Sequence, residues 1–202
     1  MKPVFLSAAL AMSVMFASGT AQGVEPADPQ SLVLALQQGG LVIYIRHAAT
    51  EKDYADQLTA DPLSCATQRV LSEKGWHQAK DLGQAIAKLD IPVGEIASSQ
   101  YCRAWQTADL AFGRYAKTAA LNFEAAEEYT PDQIAAMRQR VLPILMAPIP
   151  QGENRVVVGH DDPFEAVTGI YPEPQGVAFI LRPTADGVEV LGSIAPDQWP
   201  AP

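Results

Sequence analysis

Two short runs, Arg46-His47 and Gly159-His160-Asp161, each place a histidine directly after an apolar stretch, and a third, Ser98-Ser99 followed by Arg103, places a guanidinium just beyond another. Two imidazoles and two guanidiniums form a donor set suited to a tetrahedral oxyanion. An arginine fork reaches two oxygens at once, and a histidine ring donates or attacks according to its protonation. Each signal alone is ordinary, because a histidine after a strand is commonly just hydrogen-bonded and an arginine opening a helix is commonly solvated. Their shared position at the ends of three apolar runs carries the joint reading.

The elements that must position these residues follow from the hydrophobic pattern. Residues 41–45 are an uninterrupted apolar run, which predicts a strand covered on both faces. Apolar and small residues recur at helical spacing over 72–89, with Ser72 as N-cap. A short strand over 95–98, a helix over 104–112 ended by Gly113, and a strand over 119–123 follow. Thr130-Pro131 opens a helix reaching 146, and 155–159 is a further buried strand. An Asp N-cap with Pro163 at the first helical position starts another helix. Residues 177–181 and 188–194, joined around Asp186-Gly187, read as an antiparallel hairpin. The alternation predicts an α/β protein, a three-layer α/β/α sandwich with a mainly parallel central sheet and a C-terminal antiparallel hairpin. In such a sheet ligands collect beyond the carboxyl ends of the strands, where the three motifs fall.

The chain has 202 residues with 48% hydrophobic composition, enough for one substantial core. Residues 1–21 have the layout of a secretory signal peptide: Lys2, an apolar run from Val4 to Phe16 and small residues up to Ala21. That run is shorter than the roughly 20 residues of a spanning helix, so removal rather than anchoring is expected. Residues 22–40 then form a leader and first helix, and 41–199 a single domain in the periplasm or outside the cell. The formal charge of −9 becomes one unit more negative without Lys2, which excludes nucleic acid and anionic lipid as partners of the overall field. An anionic substrate must be captured by a local cluster. In an exported chain Cys65 and Cys102 read as a disulfide, closing a loop that stabilises by about 4 kcal/mol on the chain-entropy model. Neither cysteine has a partner at metal-ligand spacing. Asp161, Asp162 and Glu165 read as a helix start rather than a cation site.

Four ordered segments resemble the histidine phosphatase superfamily. Arg46-His47-Ala48-Ala49-Thr50 resembles its Arg-His-Gly-x-Thr/Ser motif, SSQYCRAWQTA (98–108) its second motif, and VVVGHDDP (156–163) its Gly-His strand end. LSEKGWHQA (71–79) is similar to the helix between the first two, so the resemblance spans about 41–169. The resemblance implies a phosphomonoester hydrolase with His47 as nucleophile, Arg46 and Arg103 as the phosphate clamp, His160 as a further donor and Thr50 as a hydroxyl donor. It implies no metal and no cofactor. Asp161 takes the place of the leaving-group acid in one branch of the family, and Glu124, Glu127 or Glu128 stands where the other branch carries it; Asp161 is preferred for its adjacency to His160. The expected partner is a small phosphomonoester or inorganic phosphate, with a phosphorylated sugar or cell-envelope component as the substrate class. The rival readings are a non-catalytic phosphate- or phosphosugar-binding protein and a phosphohistidine protein phosphatase. Ala48 departs from the family glycine and requires a negative φ. Asp53 stands where some members carry an Asn and is expected to turn away or pair with Lys52. His77 is expected at the surface.

Overall fold

The computed structural model describes residues 27–201 apart from 58, 125 and 127, so the expected signal peptide and Glu127 lie outside the described residues. Helix α1 (Pro29–Gln38) starts on Asp28, whose carboxylate accepts the N–H groups of Gln30 and Ser31. The other elements are β1 (Val42–Arg46), α2 (Glu73–Lys88), β2 (Val93–Ser99), α3 (Cys102–Phe112), β3 (Ala116–Thr118), α4 (Pro131–Met146), β4 (Asn154–Gly159), α5 (Asp161–Thr168), β5 (Ala178–Thr184) and β6 (Gly187–Ile194).

The strands form one six-stranded sheet in the order β3-β2-β4-β1-β5-β6. It is parallel from β3 through β1, and β5 and β6 add antiparallel edges. Alternation along each strand divides the core. Ile43 and Ile45 of β1, with Val156 and Val158 of β4, meet α1, α2 and α3 on one face. Val42, Tyr44 and Val157 meet α4 and α5 on the other. The result is the three-layer sandwich with its C-terminal hairpin. Among the described residues no helix is long and apolar enough to cross a membrane.

Local chemistry accounts for most boundaries. Ser72 accepts the Gly75 N–H at the start of α2, Thr130 and Gln133 form a reciprocal capping box at α4, and Gly113 closes α3 in the left-handed conformation. Asn154, fully buried, donates to Leu36 O and Pro92 O and accepts from Leu41 N, tying the entry of β1 to α1 and β2. Two boundaries differ from expectation. The strand predicted over 119–123 lies earlier, at Ala116–Thr118, and Ala119–Leu121 is a 3-10 turn in which Thr118 accepts the Ala120 N–H. Helix α5 begins at Asp161 with His160 at its N-cap, so Pro163 stands at the third helical position, where its missing N–H still costs no intrahelical bond.

Candidate active site

Strands β2, β4 and β1 are neighbours with β4 in the middle, so the three sequence motifs emerge side by side. Arg46 pairs in register with Gly159, and Ser98 with Val158. Gly159 is required by close approach: a Cβ there would strike the Tyr44 hydroxyl. That hydroxyl donates to His160 O at 2.8 Å and takes the His160 N–H at 3.2 Å, fixing the backbone of β4 at its end to β1. Arg46, His47, Arg103 and His160 are all buried, an unusual concentration of polar groups at one sheet edge.

The His47 ring is oriented by two contacts. Its Nδ1 lies 2.9 Å from Ala48 O, and the Arg103 Nε–H donates to its Nε2 at 3.2 Å. A carbonyl can only accept and a guanidinium can only donate, so the proton sits on Nδ1 and the lone pair on Nε2. Burial first, then the charge of Arg103, holds the ring well below its ordinary pKa of 6.5 and keeps it neutral. Ala48 is buried, and its N–H donates to Thr107 Oγ1 at 3.0 Å; that hydroxyl in turn donates to Arg103 O at 2.7 Å. Asp90 is the non-glycine residue with positive φ among those described, so Ala48 meets the requirement its methyl imposed.

Arg103 opens α3 and is held on several sides. Its Nη1 meets Asp56 Oδ1 at 2.9 Å, and the rings of Tyr101 and Phe123 flank it at 5.2 and 5.1 Å. Burial pulls the guanidinium below its ordinary pKa and Asp56 opposes that. The segment carrying Asp56 is stapled to α3: Cys65 and Cys102 are disulfide-bonded, and Gln68 accepts the Cys102 N–H at 2.7 Å.

The His160 ring packs edge-on against Tyr101, Phe123 and His47, with its Nε2 2.8 Å from Ser99 Oγ. Ser99 spends its single proton on Asn122 Oδ1, so His160 donates from Nε2 and carries its lone pair on Nδ1. Burial, followed by the charge of Arg103, keeps this ring neutral too. Two buried atoms of the cluster meet no hydrogen-bond partner among the described residues: His160 Nδ1 and Arg46 Nε. Such atoms are costly in a core unless a ligand engages them.

Asp161 accepts from Arg46 Nη2 at 2.5 Å and from the Tyr171 hydroxyl at 2.7 Å, and Arg46 Nη1 donates to Pro172 O at 2.9 Å. Burial pushes the Asp161 carboxyl up, but Arg46, Tyr171 and His47 together outweigh it and the net shift is downward. Asp162, next to it, accepts from the Tyr129 hydroxyl at 3.0 Å and is pushed up by burial and by Asp161. Glu124 is paired with Arg140 at 2.7 Å, and Glu128 is exposed. Thr50 is buried, with its N–H on Gln175 Oε1 at 3.1 Å and its hydroxyl accepting from Gln175 Nε2 at 3.3 Å. Asp53, Lys52 and His77 are exposed. A cleft of about 520 Å³ between α4 and α5 is lined by Tyr129, Arg138 and Asp162, and none of the four buried polar residues lines it.

Asp56, Tyr101, Phe123 and Tyr171 belong to the site without having been marked by the sequence as members, whereas Ser99 was. The signal for Ser99 and Tyr101 was their place within the second motif. Asp56 and Phe123 lie in segments whose conformation depends on contacts made only after folding.

A neutral histidine flanked by two buried guanidiniums and a second histidine, at the carboxyl edge of an α/β sheet, is the donor set that a phosphoric monoester hydrolase needs. Residues 42–121 match the family model described as Histidine phosphatase superfamily (branch 1). The solved structures that resemble the chain include the phosphoserine phosphatase of Entamoeba histolytica, in complex with phosphoserine, with 16% identity over 78% of this chain and 98% of that one and a TM-score of 0.57. A mycobacterial glucosyl-3-phosphoglycerate phosphatase shows 16% identity over 75% and 97%, with a TM-score of 0.53. The protein histidine phosphatase SixA, complexed with tungstate, shows 13% identity over 78% and 97%, with a TM-score of 0.51. No curated protein sequence matches. The family match covers residues 42–121, which hold the first two of the chain's motifs.

Proposed function

We propose that the protein is an exported, metal-independent phosphatase that hydrolyses small phosphomonoesters through a phosphohistidine on His47 Nε2. The observation that carries this reading is the placement of the proton on Nδ1, which leaves Nε2 as a lone pair among cationic donors. The Nε2 lone pair attacks phosphorus and the ester P–O bond breaks. The ring becomes cationic, and Ala48 O, already accepting from Nδ1–H, stabilises that charge without rearrangement. Arg103 and Arg46 bind the equatorial oxygens as charge moves onto them. His160 Nδ1 requires a proton before it can donate to the same group, so a bound dianion raises the basicity of that ring. Water then attacks phosphorus while the Asp161 carboxylate takes its proton, the P–Nε2 bond breaks, phosphate leaves, and neutral His47 is restored.

Asp161 is the proposed leaving-group acid. Its carboxyl lies on the clamp itself, whereas Glu124 is committed to Arg140. Asp161 is held ionised by Arg46, and a phosphoryl dianion that takes over Arg46 removes that support and brings the carboxyl up toward the protonated form. Export rests on residues 1–21, and a phosphorylated sugar or cell-envelope component is the substrate class that fits an exported phosphatase. The test is mixing with a labelled phosphomonoester followed by alkaline quench: acid-labile label on His47 is expected, and none in His47→Ala. Label elsewhere, or phosphate release by His47→Ala, refutes the assignment.

A further inference from the structure

Both clamp arginines have a carboxylate partner, Arg46 with Asp161 and Arg103 with Asp56. A third arginine beside them has none among the described residues. Arg69 is tied to the clamp through its backbone: its N–H donates to Asp56 Oδ1 at 2.7 Å, the same oxygen that receives Arg103 Nη1. Its neighbour Gln68 holds the Cys102 N–H, so the residue is fixed against the start of α3. Its charge bears on both Arg103 and His160. Yet among the described residues its guanidinium meets no carboxylate, and its Nε is shielded from solvent without a hydrogen-bond partner. A solvated surface arginine has neither property, since it hydrates Nε and gains nothing from lying beside two other cations. Asp56 and Asp161 already neutralise the pair that binds the transferred phosphoryl group, so the charge of Arg69 is left over for something else.

We propose that Arg69 is a second anion subsite, and that the preferred substrates are phosphomonoesters carrying a further negative group, a carboxylate or a second phosphate, near the scissile one. This rests on the phosphatase reading above and names its substrate class. Arg69 recognises the leaving group rather than the reacting phosphorus, so its contribution is read as a ratio. The measurement is kcat/KM for phosphoglycolate against ethyl phosphate, and for glucose 1,6-bisphosphate against glucose 6-phosphate, in the wild type, Arg69→Gln and Arg69→Lys.

The wild type is expected to prefer the doubly anionic member of at least one pair by about tenfold, as a charge-assisted hydrogen bond gives. The pair that shows it tells carboxylate from phosphate. Arg69→Gln is expected to collapse that ratio toward one, and Arg69→Lys to keep part of it. Equal wild-type rates within both pairs overturn the proposal, as does an Arg69→Gln enzyme slowed equally on both members. A protein that hydrolyses none of these, nor an aryl phosphate, fails the phosphatase reading instead. Calorimetric binding of inorganic phosphate against phosphonoacetate then tests the subsite alone, and equal loss of both ligands in Arg69→Gln overturns it.

Discussion

Lowering the pH from about 7.5 to about 5.5 is expected to remove about 2.7 kcal/mol of folding stability, because two buried histidines must each take up a proton on unfolding. His47 and His160 are both held well below their ordinary 6.5, by burial and then by Arg103. Below 6.5 the unfolded chain binds protons at both rings while the native one does not. Stability is therefore complete above that value and falls as the pH drops through it. Each ring contributes about 1.4 kcal/mol over the two-unit interval, and the two sit close enough together that neither native ring accepts a proton cheaply. Asp161 adds a loss of the same sign only on approaching its ordinary 3.8 and below, and Asp162, pushed up from that value, acts in the opposite sense there. For a chain of this length the change corresponds to a fall of roughly 5–10 °C in melting temperature, followed by thermal unfolding in phosphate-free buffers. His47→Asn is expected to halve the slope. A melting temperature flat across the interval refutes the neutral-ring argument, and with it the lone pair assigned to His47 Nε2.

Two further outcomes follow from the site. Asp161→Asn is expected to slow alkyl phosphates by roughly 10²-fold or more and aryl phosphates much less, since an aryl oxide leaves without a proton; equal losses, measured as kcat on the two substrates, remove Asp161 as the acid. Reduction of the Cys65–Cys102 disulfide, or Cys65→Ser with Cys102→Ser, is expected to cost about 4 kcal/mol on the chain-entropy model and to raise KM through loosening of Arg103. Thermal melts with and without reductant measure the first effect, and unchanged KM after complete reduction excludes the second.

The strands and the four buried polar residues were legible because apolar runs ending in Arg-His, Ser-Ser and Gly-His state both a buried mount and what it presents. Asp28, Ser72 and Thr130 cap helices through contacts one turn long, which local sequence specifies. The pairing of the carboxylates with the arginines was not legible. Nothing near Asp56 in the chain distinguishes it from Asp53, and its meeting with Arg103 depends on how the segment between β1 and α2 lies across α3. The ionised condition of Asp161 likewise depends on Tyr171, reached only through the chain that follows α5. The misplaced strand at 119–123 has the same origin: Leu121 is apolar because it is buried under the sheet, not because it continues a ladder.

The Thr107 hydroxyl, shared between the Ala48 N–H and the Arg103 carbonyl, makes the turn after His47 and the helix of Arg103 a single mechanical unit. Substitutions on the two sides of that oxygen are therefore not independent. A change that shifts β1 at its end also re-aims the guanidinium, so a double-mutant cycle between the two segments carries a nonzero coupling energy.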